Sequence, residues 1–236
     1  MPNILKNPYN AIKHFIVITQ LNRQPKREIK AILEEGKNMI DLSKHGELIV
    51  RQEMELLEAF TGLETQNRYS VSTPDGDPLL YAYEESGFFS RIFLKKNRPL
   101  SIHVLDNNKE RVLTASRSFF WFLSHLHIRD GSGHEIGALR RRFSILNRRF
   151  EFEDSTGKLI AEMRGPRLRP NTFMIYNKRG EEIGRVTKQW SGIGREVFSD
   201  ADTFSVQIDT NKVDRDFAML ILVSALAIDL DFFEGE

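Results

Sequence analysis

His125 and His127 stand two residues apart, the spacing that sets both imidazoles on one face of a strand, where two nitrogens can share a metal ion. No Asp or Glu adjoins the pair along the chain, so the sequence supports this metal reading only weakly. His14, His45, His103 and His134 are scattered. Neither a glycine-rich phosphate loop nor a nucleophile elbow occurs. The chain has no cysteine, which excludes disulfides, thiolate metal sites, cysteine nucleophiles and S-acylation together. These residue types point away from catalysis, and the chain is not expected to be an enzyme.

Binding chemistry is better represented. Arg140, Arg141, Arg142, Arg148 and Arg149 form a basic tract, extended by Arg164, Arg167 and Arg169 on the next hairpin. On a strand Arg140 and Arg142 face one way and Arg141 the other. Such guanidinium groups suit lipid headgroup phosphates or nucleic acid, while a solvated outer wall is the plainer account. A second cluster is aromatic: Phe119, Phe120, Trp121 and Phe122 beside Arg117, with Phe88, Phe89 and Phe93 near Lys95, Lys96 and Arg98. Rings inserted at the headgroup boundary with cations beside the phosphates would bind a membrane face. The competing reading buries the same rings inside the fold or under an N-terminal helix.

The charge distribution sharpens this choice. Residues Gly137 to Arg195 carry 14 Lys+Arg against 6 Asp+Glu, and Glu196 to Glu236 carry 2 against 10, although the whole chain is only +1. Either the two blocks neutralise each other in the fold, or a basic face is left for a phosphate-bearing partner.

These groups need elements to hold them. Pro25 to Leu42 reads as a helix, with Ile29, Ile32, Leu33, Met39 and Ile40 at helical spacing. After Gly46 the period changes to two, and five hairpins follow, turning at Pro74-Asp75-Gly76, Asp106-Asn107-Asn108, Asp130-Gly131, Asp154 to Gly157 and Asn177 to Gly180. A meander of this length is expected to curl into a closed barrel, because closure removes the exposed edges. The division is therefore 1–45, a helical extension, and 46–236, a mainly β domain with a C-terminal helix.

That helix is the run Phe217 to Ile228, bounded by Asp216, Asp229 and Asp231. Its twelve residues cover only ~18 Å at 1.5 Å each, whereas a span needs roughly 20 residues. A helix apolar nearly all round must be buried on every side, so it is expected to plug the barrel.

Several stretches resemble the phospholipid scramblase family. They are Val50 to Gly62, Lys188-Gln189-Trp190-Ser191-Gly192, Arg195 to Phe204, and Ile228-Asp229-Leu230-Asp231-Phe232-Phe233-Glu234. The resemblance implies a tubby-like fold, a closed antiparallel barrel of about twelve strands around a hydrophobic central helix. It implies calcium-dependent, non-selective movement of phospholipids between leaflets, and an anionic phospholipid surface as partner. A soluble tubby-like module that binds headgroups or a protein partner without moving lipid is the alternative, and nucleic acid is disfavoured. Relatives carry acylated cysteine clusters where this chain has the two aromatic groups, so lipid anchoring there is replaced by rings.

Calcium is the one cofactor implied, through a segment corresponding to Asp200 to Asn211. Here Asp200, Asp202 and Asp209 supply the carboxylates, but Phe204 and Ile208 fill positions where a calcium loop needs oxygens. The alternation Phe204, Val206, Ile208 reads instead as a strand. With no apolar leader in Met1 to Asn10, the expected location is cytoplasmic, on the inner face of the plasma membrane.

Overall fold

Burial alternates residue by residue through most of the chain, as a sheet with one dry face requires. In Pro78–Glu85, Leu80, Ala82 and Glu84 are buried while Tyr81, Tyr83 and Glu85 turn outward. The computed structural model describes residues 40–53, 67–87, 93–94, 97–189 and 202–233. These hold twelve strands: β1 (Glu47–Gln52), β2 (Arg68–Ser72), β3 (Pro78–Glu85), β4 (Leu100–Asp106), β5 (Arg111–Arg117), β6 (His125–Asp130), β7 (Glu135–Arg142), β8 (Asn147–Asp154), β9 (Leu159–Pro166), β10 (Thr172–Asn177), β11 (Glu182–Gln189) and β12 (Thr203–Ile208). Each pairs antiparallel with its neighbour, and β1 pairs with β12, for example Val50 with Phe204, closing the barrel.

Four of the hairpins share one turn device. Asp106, Asp130, Asp154 and Asn177 each accept two backbone N–H bonds from residues two and four further on, at 2.8 to 3.1 Å. A left-handed residue then closes the loop: Gly133, Gly157, Gly180 and, in the first of the four, Lys109 at φ 67°. Repeated Asp/Asn turn chemistry thus sets the register of successive hairpins.

The interior is filled by α1 (Arg215–Ile228), which continues into a wider π turn, Asp229–Phe233. Asp214 caps it, accepting from Phe217 N at 2.9 Å. Every residue from Phe217 to Asp231 is buried. At 14 residues the helix is about 21 Å long, matched to the strands around it rather than to a bilayer. No helix among the described residues is long and apolar enough to cross a membrane.

Phe217 packs edge-on against Phe152 of β8, and the strands make room where the helix comes closest. A Cβ on Gly137 of β7 would lie 2.8 Å from Leu220 Cδ1 of the helix, whereas one on Gly184 of β11 would meet the Gln207 carbonyl of β12 at 2.9 Å and leave Ile221 at ordinary contact distance. Leu42 is also fully buried, in a short 3-10 turn (Leu42–Lys44) capped by Asp41. The barrel unit begins at Asp41, and the helix expected over 25–42 lies, save its last residues, outside the described part.

Candidate functional site

The two ends of the barrel differ in kind. Because every neighbour is antiparallel, the tight Asx turns all lie at one end, and the connections after β3, β5, β7 and β9 lie at the other. That second end is where apolar side chains face solvent. After β5, Phe119 and Leu123 are half exposed, Trp121 is 76% and Phe122 86% exposed. After β7 stand Phe143, Ile145 and Leu146, after β9 Leu168, and in the β3–β4 connection Phe93, all largely exposed. Isolated exposed leucines are ordinary, but a set gathered on one rim of one barrel marks a contact surface.

Sequence reasoning found only part of this rim. Phe119, Trp121 and Phe122 are outside the core, which removes the reading that buries them in the barrel. Phe120 differs: it is half-buried, with the Arg117 guanidinium 5.0 Å from its ring centre. Phe143, Ile145, Leu146 and Leu168 were missed. Their signal was apolar residues sitting in short connections, where turn chemistry predicts polar ones. Arg167 and Arg169 flank Leu168 and are exposed, so cations border the apolar tips.

Beneath the rim the C-terminal end of the plug is tied down by buried charge. Asp231 accepts from Arg117 Nη1 at 2.8 Å and from Ser124 Oγ at 2.6 Å. Arg98 pairs with Glu84 at 2.7 Å, and Asn67 donates to the same carboxylate at 2.6 Å. Arg141 turns inward, 4.6 Å from the Phe232 ring centre, and Arg148 lies over Phe173 and Phe232 while donating to the Pro170 carbonyl. The Tyr69 hydroxyl donates to Asp229 at 2.7 Å. Burial pushes the Asp229 carboxyl up to about 7, against the lowering by Tyr69, and the nearby Asp202 raises it further.

The other predicted groups disperse. Arg140, Arg142 and Arg149 share the outer wall with Glu151, Glu153 and Glu162. Arg140 meets Glu153 at 3.1 Å, Arg142 meets Glu151 at 2.6 Å, and Arg149 meets Glu162 at 2.8 Å. Alternation on paired strands brings these signs face to face, so the tract is largely neutralised on the barrel wall and is no open phosphate cradle. Arg148 faces the interior and is not part of that wall. Lys95 and Lys96 lie outside the described residues, as do Phe88 and Phe89.

Asp202 and Asp209 stand at opposite ends of β12, about 23 Å apart along an extended chain, and cannot share one ion. Asp202 keeps its inward direction, held by Lys188 Nζ at 2.7 Å. Asp209 instead closes the turn into α1, accepting from Asn211 N at 3.1 Å. Asp200 lies outside the described residues, and among those described no three His, Asp or Glu side chains form a metal cage.

The Scramblase family profile matches residues 27–235. Phospholipid scramblase 1 of Mus musculus is 28% identical over 206 residues, covering 82% of this chain and 62% of that one. The Homo sapiens phospholipid scramblase 1 is 26% identical over 207 residues, covering 82% and 65%. The Saccharomyces cerevisiae protein named altered inheritance rate of mitochondria protein 25 is 24% identical, covering 79% and 70%. The chain thus spans about three fifths of the length of the scramblase 1 relatives it matches. An Arabidopsis thaliana protein solved by X-ray is similar at a TM-score of 0.45 and 13% identity, over 80% of this chain and 94% of that one.

Proposed function

Since the chain belongs to the scramblase family, we propose that it handles phospholipids at a membrane surface, docking end-on through the apolar rim of its barrel. The observation that carries this reading is the gathering of Phe93, Trp121, Phe122, Phe143, Ile145, Leu146 and Leu168 on one end, bordered by Arg167 and Arg169. Rings and aliphatic tips enter the headgroup boundary while arginines meet anionic phosphates, the pattern of a protein that lies on a bilayer. The cytosolic leaflet of the plasma membrane, being anionic, is the proposed surface.

A spanning barrel needs an outward apolar band, whereas the walls of β7, β8 and β9 carry arginine and glutamate pairs. This supports end-on docking.

Burial of α1 inside the barrel favours a further distinction: binding at the rim precedes, and is separable from, movement of lipid between leaflets. Calcium enters this reading only as a trigger, and a site built on Asp200 and Asp202 must first part Asp202 from Lys188. Flotation with vesicles containing phosphatidylserine tests the docking. The wild-type chain is expected to float with the vesicles, and W121S/F122S is expected to stay behind with its thermal midpoint unchanged. Equal flotation of the two proteins refutes rim docking. Leaflet exchange of fluorescent lipid above the protein-free rate then tells a transporter from a binding module.

A further inference from the structure

The barrel wall brings to the histidine pair the carboxylates that the chain order did not show. Leu126 is wholly buried, so His125 and His127 on either side of it share the outer face of β6. Their rings lean together, with centroids 4.2 Å apart at 45°. Glu135 lies 3.1 Å from His127 Nδ1, the arrangement in which a carboxylate takes the proton side of an imidazole and leaves Nε2 bare for a metal. His125 Nε2 is enclosed and has no hydrogen-bond partner, and it faces Glu153 Oε2 at 3.6 Å.

The neighbours leave space. Ala138 of β7 stands between His127 and Glu153 in the register, and Ser116 of β5 lies on the other side of His127. On its β5 side His127 borders an open groove of about 640 Å³ with Ser101, Ser116 and Arg129, which leaves that imidazole reachable from solvent, while His125 and Glu153 lie outside the groove.

We propose that His125 and His127 bind a first-row divalent transition metal, Zn²⁺ or Cu²⁺, with Glu153 and water completing the coordination. Imidazole nitrogens select such metals, with Cu²⁺ at the top of the affinity order, and not calcium, which requires six to eight oxygens. Among the described residues no three donors already converge on one point, which makes this a two-imidazole site that Glu153 joins by a side-chain rotation. Arg140 limits its strength, since it holds Glu153 at 3.1 Å and brings a positive charge to the site.

The test titrates the untagged full chain with Zn²⁺ by calorimetry and with Cu²⁺ by electron paramagnetic resonance. One equivalent is expected to bind, with Cu²⁺ showing nitrogen couplings. H125A/H127A should weaken binding at least tenfold, H103A/H134A should leave it unchanged, and R140Q should tighten it by freeing Glu153. H127A alone, at a half-exposed position, serves if the double variant does not fold, and circular dichroism checks each protein. Equal Zn²⁺ affinity in the wild type and in the folded histidine variants overturns the proposal, as does displacement of Zn²⁺ by equimolar Ca²⁺.

Discussion

Replacing Asp229 by asparagine should flatten the acid-to-neutral pH dependence of stability, because this carboxyl is neutral when buried and must ionise inside the barrel as pH rises. Its folded pKa is raised from 3.8 to about 7. The folded state therefore holds the proton more tightly than the unfolded chain. Stability from this group is full below pH 4 and is lost as pH rises through about 7. A rise of that size corresponds to an upper bound of about 4 kcal/mol. The part lost between pH 5 and about pH 8 is roughly 3 kcal/mol.

An asparagine side chain in this place can still accept from the Tyr69 hydroxyl, which donates to the aspartate at 2.7 Å, and it can donate to Asp202. The exchange removes the charge and keeps the contacts. Urea unfolding of wild type and D229N at pH 5, 6, 7 and 8 measures the difference directly. Asp41, Asp154 and Glu162, whose carboxyls are held low by hydrogen bonds and by neighbouring cations, act the opposite way at acid pH, but they are present in both proteins and cancel. The gap in favour of D229N should widen by roughly 3 kcal/mol from pH 5 to 8, equivalent to a midpoint difference on the order of 5 to 10 °C. Parallel curves for the two proteins refute the buried, protonated Asp229.

Three further outcomes follow from the packing. E84Q removes the carboxylate charge that meets the guanidinium of Arg98, itself 2% exposed, at 2.7 Å, and should lower unfolding free energy by about 3 to 5 kcal/mol in denaturant titrations. G137A drives a methyl into the Glu153 backbone carbonyl of β8 and into Leu220 of the plug and should destabilise the barrel by about 1 to 3 kcal/mol, whereas the same exchange at exposed Gly46, with nothing within 4 Å, should change little. K109G removes a left-handed lysine from the β4–β5 turn, where the three matching turns already use glycine, and should raise stability by about 0.5 to 1 kcal/mol in the same titration.

The local signals in the chain were strong where one residue type answers one backbone need. Asp106, Asp130, Asp154 and Asn177 announce their turns because only a short side-chain oxygen can accept both N–H groups of the loop. Period-two burial announces the strands, and the length of the run Phe217 to Ile228 announces a helix that must be enclosed. The site was less legible. Trp121 and Phe122 were recognised as aromatic, but alternation alone cannot say whether a ring after a strand faces the core or the solvent. Phe143, Ile145 and Leu146 drew no reading from the sequence, and the β7–β8 connection puts them on the same rim.

By itself, then, the sequence determined the elements: turns, strand period, plug helix and family, all set by interactions between residues close along the chain. Which groups meet was decided only in the closed barrel. Antiparallel register placed Glu151, Glu153 and Glu162 against the arginine tract and silenced it, and it carried Glu135 and Glu153 to the histidine pair. Strand direction sent Asp202 and Asp209 to opposite ends of β12, while closure gathered the apolar loops on one rim. Side-chain periodicity fixes a face within each strand, but cross-strand partners depend on register, and register is a property of the assembled sheet.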